Sequence, residues 1–329
     1  MTNTMSRKQV IFIALLIIGL ASLTFLPVVV KTDSTINLLI LIFLYTTLAS
    51  SWNILGGYTG QTNLGHAAFF GVGTLVTRLL WIKGFPLFPS LLAGGGVAVA
   101  FALLIGIPAF KLRGVYFAIG TLALAQILNV TVGNVLPVIS SLPTQYIATY
   151  QLAPRYYLFL ALALLTIGTA YALVHSRLGL GMMAVREDED AAESLGVSAL
   201  KHKLLALCVS AFFGGLAGGA FAYYHVSYYY QFPFTPPWSL DVMTMAYIGG
   251  AGTIIGPIVG SVFFVVVREF LVLNVGEYHL IVFGVLFILV VLFLPGGFVE
   301  AWEKIQKVLA RRSRLRSLDV PPKKGELTS

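Results

Sequence analysis

Residues 186–196 read R-E-D-E-D-A-A-E-S-L-G and hold Glu187, Asp188, Glu189, Asp190 and Glu193, five of the 13 acidic residues among 329. No other Asp or Glu occurs between Asp33 and this segment, and long apolar runs flank it at 156–174 and 204–224. Carboxylates gathered on a short solvated segment suit docking of a soluble partner. Acid–base catalysis would need a group held within hydrogen-bond reach of a reacting atom. A second polar concentration, G-G-Y-T-G-Q-T-N-L-G-H-A-A-F-F-G at 56–71, supplies Tyr58, Thr59, Gln61, Thr62, Asn63 and His66 between two hydrophobic runs. Neutral donors and acceptors of this kind can replace water around a polar solute without trapping it. His66 stands alone and reads as a hydrogen-bonding residue, not a metal ligand.

Several chemistries are missing from the sequence. There is no G-x-x-x-x-G-K-[ST], no H-E-x-x-H and no pair of carboxylates inside an apolar run. Asp33 and Glu187 bracket a region without any acid, so the usual carboxylate relay of a proton-coupled carrier is not available there. No cofactor and no metal site is implied. The single cysteine, Cys208, excludes an intrachain disulfide and a C-x-x-C site. The chain carries no energy source of its own: something else powers it, or it is a passive channel.

The elements that must position these residues are membrane helices. Hydrophobic residues make up 58 %, charged residues 10 %, and mean hydropathy is +0.89, against about 25 % charged residues in an ordinary soluble domain. Apolar runs occupy 10–30, 36–55, 64–81, 87–110, 115–132, 156–174, 204–224 and 279–294, with a glycine-broken stretch at 241–273. They are continuous and many reach the roughly 20 residues that cross a bilayer, unlike the alternating strands of a barrel. The reading is an all-α, polytopic transmembrane helical bundle of about eight full spans plus a re-entrant or broken helix pair at 241–273; ten spans is the alternative. Pro295, Gly296 and Gly297 end the last span, giving a transmembrane domain over 1–298, with a polar loop at 176–203, and a basic tail over 299–329.

The net charge of +8 is concentrated. Eight of 21 Lys and Arg residues lie in the tail, from Lys304 to Lys324, where anionic headgroups of the cytoplasmic leaflet are the natural partner and nucleic acid is not. With the N-terminus in the cytosol, eight further Lys and Arg fall on the cytoplasmic side and five (Lys31, Arg78, Lys83, Arg155 and Arg268) on the other. That bias puts both termini and the acidic 186–196 segment in the cytosol. Glycines at four-residue spacing (Gly214 and Gly218; Gly215 and Gly219; Gly252, Gly256 and Gly260) predict close helix crossings. The 56–66 segment admits two readings. One is a surface turn with Thr62 or Asn63 capping the next helix. The other is irregular backbone at membrane depth beside a pathway.

Four blocks carry a family resemblance: W-N-I-L-G-G-Y-T-G-Q-T-N-L-G-H-A-A-F-F-G-V-G from Trp52, L-R-G-V-Y-F-A-I-G-T-L-A-L-A-Q-I from Leu112, R-L-G-L-G-M-M-A-V-R-E-D-E-D-A-A-E-S-L-G-V from Arg177, and Y-I-G-G-A-G-T-I-I-G-P-I-V-G from Tyr247. In this order they resemble the M-type permease subunit of bacterial branched-chain amino-acid ABC importers. The resemblance implies a multi-pass protein of the bacterial cytoplasmic (inner) membrane. Its partners would be a second homologous permease, two cytoplasmic ATPases and a periplasmic or extracellular substrate-binding protein. Residues 186–196 match the coupling loop, with Asp190-Ala191-Ala192 where the family's E-A-A stands and Gly196 closing the helix. Arg186, Glu187, Asp188, Asp190, Ala191, Ala192 and Gly196 are therefore expected to couple to the ATPase on one short helix, Ala192 packing in the contact and Glu189 an exposed, dispensable charge. Gln61, Thr62, Asn63, His66, Tyr116, Thr121 and Thr244 are expected along the translocation pathway. Importers of urea or short-chain amides share the architecture, and a self-contained channel or carrier is the reading from another class.

Overall fold

The computed structural model describes residues 32–318 together with Gly19, 21–27 and 29–30. Gly19, 21–27 and Val29 are helical; the rest of the 10–30 run and the tail beyond 318, with Lys323 and Lys324, lie outside the described residues. The chain continues through α1 (Asp33–Thr59), α2 (His66–Ile82), α3 (Leu87–Ala109) and α4 (Val115–Val135). Next come β1 (Ile139–Ser141), α5 (Thr144–Ala148), α6 (Leu152–Val174), α7 (Arg177–Glu187), α8 (Glu189–Ser194) and α9 (Ala199–Tyr224). β2 (Ser227–Tyr229), α10 (Pro236–Gly249), α11 (Ile255–Val275), α12 (His279–Phe293) and α13 (Gly297–Leu318) complete it. The bundle is all-α apart from the short pairing of β1 with β2.

Among the described residues six helices are long and apolar enough to cross a membrane: α1, α3, α4, α6, α9 and α11 with its extension to Tyr278. α2 is shorter, as is the apolar part of α12. The 241–273 stretch resolves into unequal halves. α10 has 14 residues and is about 21 Å long, short of the about 30 Å hydrocarbon core, whereas α11 has 21. The tight turn between them places Met245 and Gly249 against Gly256 and Gly260. The first part of the basic tail is helical: α13 runs to Leu318, with Glu300–Lys304 at 2.6 Å and Glu303–Lys307 at 4.0 Å supporting its first turns.

α1 and α9 are the inner helices, most of their residues buried, while α4, α6 and α11 bury only a minority of theirs. A helix apolar on all sides belongs inside, and small residues let its neighbours close in. Gly73 of α2 faces Gly215 of α9, Gly218 lies against the Phe70 carbonyl, and Gly215 also meets Ala98 and Gly95 of α3. The glycine ladder of α9 thus sits at its crossings with both α2 and α3.

The end of the bundle away from α7 and α8 is closed by paired segments. β1 and β2 run antiparallel with Ile139 opposite Tyr229. Arg78, fully buried, lies beneath them and donates to Ser140 Oγ at 2.8 Å, Ala222 O at 3.0 Å and Val226 O at 2.7 Å. Arg155, also buried, donates to Tyr223 O and Gln151 O between the rings of Tyr150 and Tyr223. Both arginines answer carbonyls and ring faces, so they are structural cations and not free loop charges. Arg268 lies inside α11. Three of the five cations counted on this side in the sequence are therefore not loop charges, and at the other end Arg186 and Lys203 are likewise engaged within the protein, by Gly57 O and Glu189.

The crossings generate a stability prediction. Gly218→Val forces a branched side chain into the Phe70 carbonyl, an overpacking cost of about 1–3 kcal/mol or more, whereas nothing lies within 4 Å of a side chain added at Gly96. Thermal melts of the purified protein in detergent should drop for Gly218→Val and stay put for Gly96→Ala.

Candidate functional site

The chain between α1 and α2 turns back into the protein. His66, first residue of α2, lies 3.0 Å from Ser51 Oγ, eight residues before the end of α1 and so about 12 Å inside it. Asn63 and His66 are buried and Gln61 and Thr62 half-buried, so the loop is packed within the protein. Backbone in such a place must be satisfied by the protein itself. Trp52 Nε1 donates to Asn63 O at 2.7 Å, Leu64 N donates to Thr121 Oγ1 at 3.1 Å and Ala67 N donates to Ser239 Oγ at 2.8 Å. Helices α1, α4 and α10 each contribute one side chain to hold the loop. The expected cap is corrected: Gly65 occupies the N-cap of α2 with no side-chain bond, and Asn63 Oδ1 instead accepts from Gly65 N. A side chain at 65 would strike the Thr121 backbone, so only glycine lets the loop pass this close to α4.

The expected pathway residues separate in space. Asn63 and Thr121 line one narrow crevice with Gly65, Phe69 and Phe117. Asn63 Nδ2 and His66 Nδ1 find no partner among the described residues, leaving spare hydrogen-bonding capacity in the interior. Thr121 itself is occupied with the loop and with Ala118 O. Tyr116 points elsewhere, on the exposed stripe of α4 with Ile119, Ile127 and Val130. Thr244 is half-buried on α10.

The acidic segment is two helices, not one. Asp188 is extended, at φ −157° and ψ 115°, and its carboxylate accepts from Ala191 N at 2.9 Å, so it ends α7 and caps α8. Gly196, at φ 85°, closes α8 in the left-handed region, with Val197 N bonding back to Ala192 O at 3.0 Å. Arg186 therefore belongs to α7, not to the short helix, and its Nη1 donates to Gly57 O at 2.7 Å. Ala192 is also corrected: it is buried against Val185, Val197 and Ala199 and cannot present itself to a partner. Ala191 and Leu195, one turn apart, are exposed instead, Leu195 at 85 %. Glu189 is no free charge either, since it bonds Lys203, whose side chain is only 2 % exposed. Asp190 does stand out, in an exposed pair with Arg113 at 3.3 Å. Glu187, like the Asp188 it precedes, is exposed. Hydrophobicity alone could not say which alanine faced inward in a six-residue helix.

Arg186 opens onto a junction. Asn53 of α1 accepts from Gly252 N at 2.7 Å and donates to Thr253 O at 2.8 Å, clamping the α10–α11 turn. Gly252 takes φ 84° there, and a side chain would strike Arg186 Nη1. The start of α13 packs on the same turn, Gly297 against Gly250 and Tyr247 O. A 360 Å³ cavity lined by Arg186, Tyr247, Thr253, Glu300 and Glu303 lies alongside. The end of α7, the end of α1, the helical turn and α13 are thus tied at one point.

A further charged group escaped the sequence reading, which looked for paired carboxylates and counted Arg268 as a loop cation. Asp241 of α10 and Arg268 of α11 stand 3.7 Å apart, and Arg268 Nη1 donates to Tyr45 OH at 3.4 Å. The signal was present: Asp241, Arg268 and Glu269 are the only charged residues between Lys203 and Glu277. Twenty-seven positions separate the pair's partners, and only the helix turn brings them together.

The profile of the family described as branched-chain amino acid transport system / permease component matches residues 34–291. The chain is 28 % identical over 324 residues to the high-affinity branched-chain amino acid transport system permease protein LivM of Escherichia coli (strain K12), covering 88 % of this chain and 75 % of that one. The LivM of Salmonella typhimurium (strain LT2) gives the same figures. No solved structure gives a significant match.

The two acids of α8 should respond differently to neutralisation. Glu189→Gln weakens the answer to a buried ammonium and should cost on the order of 2 kcal/mol locally, read as faster amide exchange across α8. Asp190→Asn removes an exposed pair worth less than about 1 kcal/mol and should leave that exchange unchanged.

Proposed function

Because the chain belongs to the branched-chain amino acid transport system / permease component family, we propose that it is one of two membrane-spanning subunits of an ATP-driven importer for leucine, isoleucine and valine. It forms the substrate pathway with a second homologous permease and takes substrate from a periplasmic or extracellular binding protein. Two cytoplasmic ATPases drive it through the α7–α8 loop. The chain is an integral protein of the bacterial inner membrane, with both termini and α8 in the cytosol. The Lys and Arg bias between the two ends, eight against five outside the tail, supports that orientation. Residues 1–298 are the permease domain, and the basic segment 299–329 lies on the cytoplasmic surface.

The observation that carries the reading is the short helix α8. It is capped at both ends, braced from within by Ala192 and Glu189, and turned so that Ala191, Asp190, Glu193 and Leu195 face outward. An exposed leucine ringed by acids on a rigid mount is suited to a complementary groove with basic edges, since apolar anchors supply affinity and peripheral charges steer. Movement received there reaches the helix pair through Arg186, Gly57, Asn53 and Gly252. In the 60–66 loop, which Thr121 holds in place, Gln61, Thr62, Asn63 and His66 supply neutral hydrogen-bonding groups for a crossing zwitterion, with Tyr116 and Thr244 on faces left for the partner permease.

Reconstitution tests the whole. The complete complex in proteoliposomes, with ATP inside and binding protein outside, should concentrate leucine, and this chain alone should not. Saturable concentrative uptake by the chain alone would overturn the reading. Leu195→Asp should sever substrate-stimulated from basal ATPase activity or prevent ATPase binding, while the membrane part keeps its melting temperature; full coupling in that variant would contradict the docking role.

A further inference from the structure

Charged side chains inside a membrane protein mark solute pathways when they line a cavity. Arg268 lies 13 residues into α11, about 20 Å from its Ile255 end, and borders a 340 Å³ cavity with Glu269, Tyr45, Phe232, Trp238 and Val265. That volume is within the about 300–1,000 Å³ range of small-molecule sites. Asp241, one helical turn beyond Trp238 on α10, stands 3.7 Å from the guanidinium, and its side chain is 29 % exposed against 44 % for Arg268. The pair is therefore loose and open. Beyond it and the 3.4 Å bond to Tyr45 OH, the guanidinium has no partner among the described residues. Trp238 stacks on Tyr45 at 5.6 Å, making one wall a continuous aromatic surface.

We propose that this cavity is a low-affinity site for a small zwitterion with an aliphatic side chain, held on the permease itself. The proposal rests on the import reading above and assigns its recognition. Arg268 receives the carboxylate, for which a planar guanidinium is the best-matched cation. Asp241 and Glu269 receive the ammonium, with the aromatic faces adding cation–π attraction. Phe232, Trp238 and Val265 take the aliphatic group. The opposed charges read both ends of the zwitterion, so a molecule lacking either end leaves a charge unanswered. The pair's mutual attraction keeps the site electrically quiet between visits, and it limits affinity, which suits passage over retention.

The test is equilibrium binding of L-leucine to the purified permease–ATPase complex without binding protein, by calorimetry, beside uptake by the same complex in proteoliposomes supplied with its binding protein. Wild type should bind leucine about tenfold or more tightly than leucinamide, which lacks the carboxylate, or 4-methylpentanoate, which lacks the ammonium. Arg268→Gln should lose the preference for leucine over leucinamide, and Arg268→Lys should retain part of it. The neutral double variant Asp241→Asn/Arg268→Gln should stay as weak as Arg268→Gln; recovery of wild-type affinity there would make the pair a structural salt bridge and overturn the proposal. A wild-type complex that imports leucine yet shows no binding or no preference would overturn this site alone. A complex that fails to import branched-chain amino acids would overturn the import reading instead.

Discussion

Backbone amides and carbonyls inside a bilayer have no water to turn to, and each one left unpaired costs several kcal/mol. The architecture of this protein follows from where its helices break. Two breaks lie within the bundle, at 60–65 and 250–254, and each is held by side chains from distant helices. Trp52, Thr121 and Ser239 secure the first; Asn53, Thr253 and Arg186 gather around the second. Helix α1 supplies Trp52 to one and Asn53 to the other. Of the buried polar residues on this innermost helix, Ser51 meets His66 beside the first break and Asn53 clamps the second.

The same bonds also join distant parts of the fold. From α8, contacts run through α7 to Arg186, to the end of α1 and to the turn after the half-length helix. Glycine makes each contact close: Gly57 and Gly252 are packed so tightly that neither position admits a side chain. At the opposite end, Arg78 fastens the β1–β2 pairing over α2 and α9, and Arg155 ties the start of α6 to the end of α9 through Gln151 O and Tyr223 O. One end is thus closed by the β1–β2 pairing and the other tied at the Arg186 junction.

Much of this was legible in the sequence. The apolar runs locate the helices because length and continuity alone distinguish spans from loops, and the Gly214–Gly219 ladder anticipates the tight crossings. The family match is carried by blocks at Trp52, Leu112, Arg177 and Tyr247. What was not legible depended on rotation and long-range pairing. No local pattern says that Ala192 turns inward and Leu195 outward in a six-residue helix, or that Asp188 breaks the acidic run in two. Arg78 and Arg155 look like surface cations until distant carbonyls arrive, Ala222 and Val226 for Arg78 and Tyr223 for Arg155, each more than sixty residues away. Asp241 and Arg268 look like isolated charges until α10 folds back on α11.

The central claim is that the 60–66 backbone and the 250–254 turn lie inside the bundle and are held by it. Hydrogen–deuterium exchange of the assembled transporter, resolved to peptides covering Leu64–Ala67 and Gly252–Gly256, measures this directly. These amides should be as protected as those of α9, despite their irregular conformation, and Thr121→Ala and Asn53→Ala should release the first and the second respectively. Exchange as fast as that of the exposed 111–114 connection in the unaltered protein would contradict the account.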